Sequence, residues 1–265
     1  MSASLGSMLN TARWFSTFAL SRYPFVNALT FLMLLAERAS WEKYPPLEPN
    51  TIYIHLALFL ICGICMSFNM KKRLAAVIQA CQIIVFAITV YINRKLRYSR
   101  WLKVRLCHRM VGVAGFFILY SCVLNTSRQK TSQMRRVGET LVGIYLIFAS
   151  YILYESPEDK RAFLRHVPGG DMFVLYAYIA LLAGCAACFL PGYFQHNASQ
   201  LLIVLVTLGT VMVDLDINYW IRQRGIHYWT QFRLITDNLC IICGLVMCVT
   251  SKKRVHFSST KEKCY

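Results

Sequence analysis

Charged residues set inside long apolar runs are the first candidates for chemistry in this chain. Asp214 and Asp216 fall near the end of an apolar run over 200–219, and Asp237 near the start of another over 234–250. Arg109 sits near the start of a run over 108–124. Glu37 and Glu155 directly follow runs over 14–36 and 138–154 and lie 118 residues apart. Ionisable groups in a bilayer are costly and mark ligand contacts, ion or proton paths, or mutual pairing. Glu37, Glu155, Asp214 and Asp216 therefore form a candidate polar site, able to bind a cation or relay protons if folding brings them together. The competing reading is that each simply marks a span's end at headgroup depth. Arg109 and Asp237, 128 residues apart, form a candidate ion pair, with separate solvation as the alternative.

Other reactive residue types are present without the spacing that chemistry needs. Cys62/Cys65, Cys185/Cys188 and Cys240/Cys243 each have the Cys-x-x-Cys form, but all lie within apolar runs. Zinc would need thiolates, a polar pocket and further ligands, and Cys also packs well between helices. The six His are scattered, with no metal-binding pair. No nucleophile elbow, phosphate loop or dinucleotide fingerprint occurs. No catalytic residue, metal or cofactor is expected, and the sequence points away from an enzyme.

The elements that must position these groups are membrane spans. The chain of 265 residues is 57% hydrophobic and 15% charged, against about 25% charged in a soluble domain. Its mean hydropathy is +0.45. The long runs do not alternate as barrel strands would, so the fold class expected is all-α, a polytopic helical membrane protein. Eight spans are read, over 14–36, 51–68, 74–92, 108–124, 138–154, 172–190, 200–219 and 234–250. Arg22 snorkels from the first, which is tilted or kinked near Pro24. Seven spans would result if the first lay in the interface. The net charge of +17 is divided among short connectors, which suits anionic headgroups rather than nucleic acid.

The chain also reads as a duplication. Trp101-Leu102-Lys103-Val104-Arg105-Leu106 and Trp229-Thr230-Gln231-Phe232-Arg233-Leu234 both join a charged connector to an apolar run and lie 128 residues apart. Gln79 and Gln200 are 121 apart, and Asn93 and Asn218 are 125 apart. The expected organisation is an N-terminal segment 1–13, a four-helix repeat 14–124, a basic connector 125–137, a second repeat 138–250, and a basic, flexible cytosolic tail 251–265. Four spans per unit imply two halves of parallel topology. Trp101, Arg105, Trp229 and Arg233 place an aromatic and a cation one turn apart at each entry, and are expected to anchor the helices at headgroup depth.

Four segments carry a resemblance: Leu35-Ala36-Glu37-Arg38-Ala39, Trp101-Leu102-Lys103-Val104-Arg105, Gly143-Ile144-Tyr145-Leu146 and His166-Val167-Pro168-Gly169-Gly170. In this order they resemble the transmembrane protein 101 family over nearly the whole chain. The resemblance implies a multi-pass membrane protein of this length, supplies no catalytic residue, and implies a role in activating NF-κB signalling as an expectation only. The Lys-rich tail is longer than the family leads one to expect. The four-span unit is more loosely similar to DoxX-like bundles.

Basic residues are nearly balanced between the two faces, so they do not orient the chain. Lys261 and Lys263 stand fifth and third from the end, as in a di-lysine retrieval signal read from the cytosol. That favours cytosolic termini and an ER or early-secretory address, with the plasma membrane as the alternative. Cys264 in the tail is a candidate for palmitoylation. The sequons at Asn125 and Asn197 would then stay unglycosylated. The function expected is a scaffold or signalling modulator with lipid and signalling-protein partners. The alternative is a transporter or lipid-handling protein with a polar site between the repeats. A polar cavity between the halves would favour the alternative, and a solid bundle the first reading.

Overall fold

The computed structural model describes residues 2–41, 49–92, 99–124, 128–167 and 170–262. The helices in chain order are α1 (Ser2–Trp41), α2 (Pro49–Ser67), α3 (Lys72–Ile92), α4 (Arg100–Val123), α5 (Arg128–Glu155), α6 (Pro157–Leu164), α7 (Met172–Phe189), α8 (Gln195–Gly209) and α9 (Tyr228–Glu262). Two π-helical turns, Thr210–Asp214 and Tyr219–Gln223, follow α8. Among the described residues seven helices are long and apolar enough to cross a membrane, so the chain is a polytopic all-α membrane protein. α1 is not one of the seven, although it runs through Pro24 without interruption.

α4 is the central helix. It is mostly buried and packs against α3, α5 and α9. Association inside a membrane depends on close packing, because lipid is as apolar as the side chains, and small residues permit it. A Cβ on Gly112 would lie 2.7 Å from the Tyr145 ring, and one on Gly138 of α5 would lie 2.9 Å from Leu119. Gly115 meets the carbonyl of Gly138 in the same seam. On the other side Gly244 of α9 accommodates the Phe116 ring. Arg109 also reaches Leu234, so α4 and α9 run parallel.

α1 runs antiparallel to α2. Arg22 donates to Ser67 Oγ at the end of α2 (2.8 Å), and Phe31 packs edge-on against Phe59 earlier in α2. Arg22 also lies over the Phe18 ring, whose other neighbour is Trp14.

Three boundaries differ from the sequence expectation. The run expected as one span over 200–219 is interrupted. The backbone widens to π turns, with Leu215 N–H donating back five residues to Thr210 O, and the regular ladder stops at Asp214. The stretch after α5 is a helix, not a plain connector. Ser156 caps it by accepting from Asp159 N–H, and Pro157 occupies its first turn, as helix-start chemistry requires. α9 extends beyond the span end expected at 250, as helix through Glu262.

Candidate functional site

Arg105 and Arg109 stand one turn apart on α4 and therefore share a face. Both point at Asp214, the residue on which the π turn ends. Arg105 donates from Nη2 to Asp214 Oδ1 at 2.7 Å. Arg109 donates from Nη2 to both oxygens, at 2.8 and 2.9 Å, and from Nη1 to Leu234 O at 3.1 Å. Asn238 of α9 donates to Asp214 Oδ2 at 2.7 Å and to Thr210 Oγ1 at 2.9 Å. Each oxygen of Asp214 thus accepts two hydrogen bonds, and the residue is 1% exposed.

The interrupted helix is what presents this carboxylate. Ending a helical ladder leaves carbonyls without intrahelical donors, and buried carbonyls need replacements. Gln231 donates to Asp214 O at 2.6 Å, and Trp220 Nε1 donates to Val213 O. The same Trp220 covers Arg105, with the guanidinium carbon 3.7 Å from the ring centroid. One side chain therefore caps the opened backbone and covers the cation that the opening accommodates.

Asp159 of α6 adds the second negative charge. Its Oδ1 lies 3.3 Å from Arg105 Nε, and its Oδ2 accepts from Ser156 Oγ at 2.8 Å. Burial pushes its carboxyl above the ordinary range, while Arg105 and the Ser156 hydroxyl oppose that rise. Two arginines and two aspartates make this cluster neutral, as a group removed from water requires. An outer layer holds α6 in place through Arg165–Asp216 (3.3 Å), Arg224–Glu158 (3.7 Å) and Tyr219 Oη donating to Glu158 O (3.1 Å).

The cluster lines a cavity of about 60 Å³ together with Tyr145 and Asn238. His108 stacks on Tyr145 at 5.6 Å and keeps Nδ1 on the Val104 carbonyl. Arg105 Nη1 is buried and has no hydrogen-bond partner among the described residues. The site thus offers an unmet donor beside a carboxylate that is already saturated.

The structure distributes the sequence candidates unequally. Asp214 lines the cavity. Asp216 instead holds the adjacent turn, accepting from Tyr219 N–H (3.1 Å) as well as from Arg165. Glu155 is exposed at the end of α5, and the Glu37 side chain lies outside the described residues. Arg109 takes Asp214 in place of its expected partner Asp237, which accepts from Tyr23 Oη at 2.6 Å. Arg105 and Arg233, expected as interfacial anchors, are buried within the bundle at 0% and 2% exposure. Arg233 lies over the Phe86 ring at 4.8 Å. Trp101 packs on Trp220 at 5.9 Å, and Trp229 is half-buried against Phe232. The exposed aromatic and cation at helical spacing are Trp14, Phe18 and Arg22. Lys263 and Cys264 lie outside the described residues, as does the side chain of Lys261. Among the described residues no group of three or more His, Cys, Asp or Glu is placed to hold a metal.

Sequence reading missed Arg105, Asp159, Asn238 and Trp220 as members of the site. Arg105 and Arg109 at i,i+4 was the available signal, since that spacing puts two cations on one helix face, where they need a shared anion.

Comparison with known proteins places the chain in one sequence family. The TMEM101 protein family matches residues 5–251. No solved structure matches the chain.

Proposed function

Since the chain belongs to the TMEM101 protein family and is a multi-pass integral membrane protein, we propose that it binds a small hydrogen-bond-accepting solute in the cavity beside Arg105, as a non-catalytic, transporter-type site. The observation that carries this is the unmet Arg105 Nη1 donor, held by a neutral ion cluster at a helix widened to π turns. Such turns recur at functional sites, and discontinuous helices recur at solute sites of transporters. The cavity of about 60 Å³ has room for roughly four or five water-sized groups. It is well below the roughly 300 Å³ at which drug-sized pockets begin, so lipid handling at this site is set aside.

The walls come from both parts of the chain: α4 from 14–124, and α5, α6, α7, α8 with the π turn after it, and α9 from 138–250. On this reading the two parts are four-helix repeats joined through 125–137, of which 128–137 opens α5, and α1 is an eighth span. Its antiparallel run against α2 supports that. An ER or early-secretory address with cytosolic termini remains part of the proposal, resting on Lys261 and Lys263.

The test is thermal unfolding of the detergent-purified chain with formate, acetate, nitrate and urea, each against a chloride control. A ligand that binds only the folded state raises the midpoint in a saturable way. Arg105→Lys keeps the charge but loses the planar fork, and is expected to abolish the rise. A wild-type chain indifferent to every solute would overturn the proposal.

A second reading, a scaffold or signalling modulator that activates NF-κB signalling, rests on the family resemblance and on the basic connectors at 71–73 and 128–136. An NF-κB reporter in cells separates the two. Output that survives Arg105→Lys but falls when the connector cations are neutralised belongs to the signalling reading.

A further inference from the structure

Lys71 ends the turn between α2 and α3, and Lys72 and Arg73 follow it as the first residues of α3. Among the described residues none of the three belongs to an ion pair. Arg73 instead points Nη2 at the sulfur of Met134, 3.8 Å away on α5. A thioether is a weak acceptor, so the guanidinium is underused. The backbone here is left-handed at two residues that are not glycine, with φ +64° at Asn69 and +46° at Lys71. Side chains rarely adopt that conformation, and it clusters at binding sites.

These cations rim an open cleft of about 670 Å³, whose floor includes Val77, Leu124 and Met134. From the cleft an apolar stripe runs down the outer face of α3: Leu74, Ile78, Val85, Ile88 and Ile92, all exposed. Their spacing keeps them on one side of the helix. The surroundings of the turn have the composition of a headgroup-level end of the bundle. Ser67, two residues before Asn69, bonds Arg22, and Arg22 continues the exposed Trp14–Phe18 stack, which is the aromatic and basic composition of a membrane interface.

We infer that this cleft binds the phosphate headgroup of an anionic phospholipid, with an acyl chain lying along the α3 stripe. Three cations without an ion pair among the described residues complement the phosphate, and the first backbone N–H groups of α3, which starts at Lys72, add positive potential. An apolar floor that continues into an exposed apolar helix face suits a lipid, whereas free phosphate would leave both unused. This site is distinct from the Arg105 cavity and does not depend on it.

Native mass spectrometry of the full chain in detergent tests the inference, with phosphatidylglycerol, phosphatidylcholine of the same chains, or inorganic phosphate added. Phosphatidylglycerol adducts are expected to exceed phosphatidylcholine adducts by about fivefold or more. Combined Lys71→Gln, Lys72→Gln and Arg73→Gln should reduce them to the phosphatidylcholine level. Combined Lys160→Gln, Arg161→Gln and Arg222→Gln, which removes equal charge elsewhere, should leave them unchanged. Val77→Trp keeps the cations but blocks the floor, and should also lower the adducts. It decides alone should the triple variant fail to fold. The inference is overturned by a preference that survives Val77→Trp and the Lys71, Lys72 and Arg73 triple, by equal loss in both triples, or by inorganic phosphate displacing the lipid at equal concentration.

Discussion

Arg109 holds both carboxylate oxygens of Asp214, at 2.8 and 2.9 Å, across 105 residues of sequence. The pair locks the central helix α4 to the π turn after α8. Removing one member of a buried pair leaves the other charge uncompensated and typically costs about 3–5 kcal/mol. Asp214→Asn is therefore expected to lower stability by that order in detergent unfolding, since it leaves Arg105 and Arg109 with Asp159 as the one remaining anion of the cluster. A loss below about 1 kcal/mol, the typical worth of a surface pair, would show that the cluster is hydrated and contributes little to holding the fold.

A double-mutant cycle distinguishes the observed partner from the one expected by sequence symmetry. Arg109→Gln with Asp214→Asn should show a coupling of roughly 0.5–3 kcal/mol. Arg109→Gln with Asp237→Asn should be closer to additive, because Asp237 is bonded to Tyr23. Likewise, exchanging the charges of Arg109 and Asp237 should not restore expression lost by either single change. Rescue by that exchange would return Asp237 to Arg109.

Trp220 has two separable roles. Trp220→Phe keeps an aromatic face over Arg105 but leaves Val213 O without its donor. An unsatisfied buried group costs about 1–3 kcal/mol, and that is the expected loss. Trp220→Leu also removes the ring and should lose more. Equal midpoints for the two variants would mean that the stacking adds nothing.

Two glycines should respond in opposite directions. Gly112→Ala would drive a Cβ to 2.7 Å from Tyr145, and overpacking of this kind costs about 1–3 kcal/mol. Gly184 has nothing within 4 Å of its Cβ position, so Gly184→Ala should be neutral or stabilising by up to about 1 kcal/mol. Unfolding midpoints of the two variants check both signs. A tolerated Gly112→Ala would indicate that α4 and α5 can separate.

Orientation can be read from glycosylation. Asn197 lies near the start of α8, where Gln195 accepts from Arg135 of α5 at 3.2 Å. With both termini cytosolic, that end of the bundle is cytosolic and no carbohydrate is added. Endoglycosidase treatment of the expressed chain should cause no mobility shift, and a shift would reverse the orientation.

Local sequence was enough for the membrane class. Apolar runs of spanning length specify helices in lipid, because each helix satisfies its own backbone hydrogen bonds. Ser156-Pro157-Glu158-Asp159 also contained the start of α6, a capping residue followed by Pro and two acidic residues. The partners of the buried charges were not legible. An apolar run registers burial, but whether lipid or protein surrounds it depends on tertiary packing. The Trp101–Arg105 pattern is therefore the same for a headgroup anchor and for an internal cation covered by an aromatic ring. The widening at Thr210–Asp214 was hidden for a related reason. Nothing in its composition breaks a helix, and its opened carbonyls are satisfied by Trp220 and Gln231, which come from later turns of the chain. Sequence placed Arg109 and Asp214 inside apolar runs and left both burial and headgroup solvation open. Only the packing of α4, α6, α8 and α9 decided that Arg105, Arg109, Asp159 and Asp214 would neutralise one another, because that neutrality is a property of the four positions together.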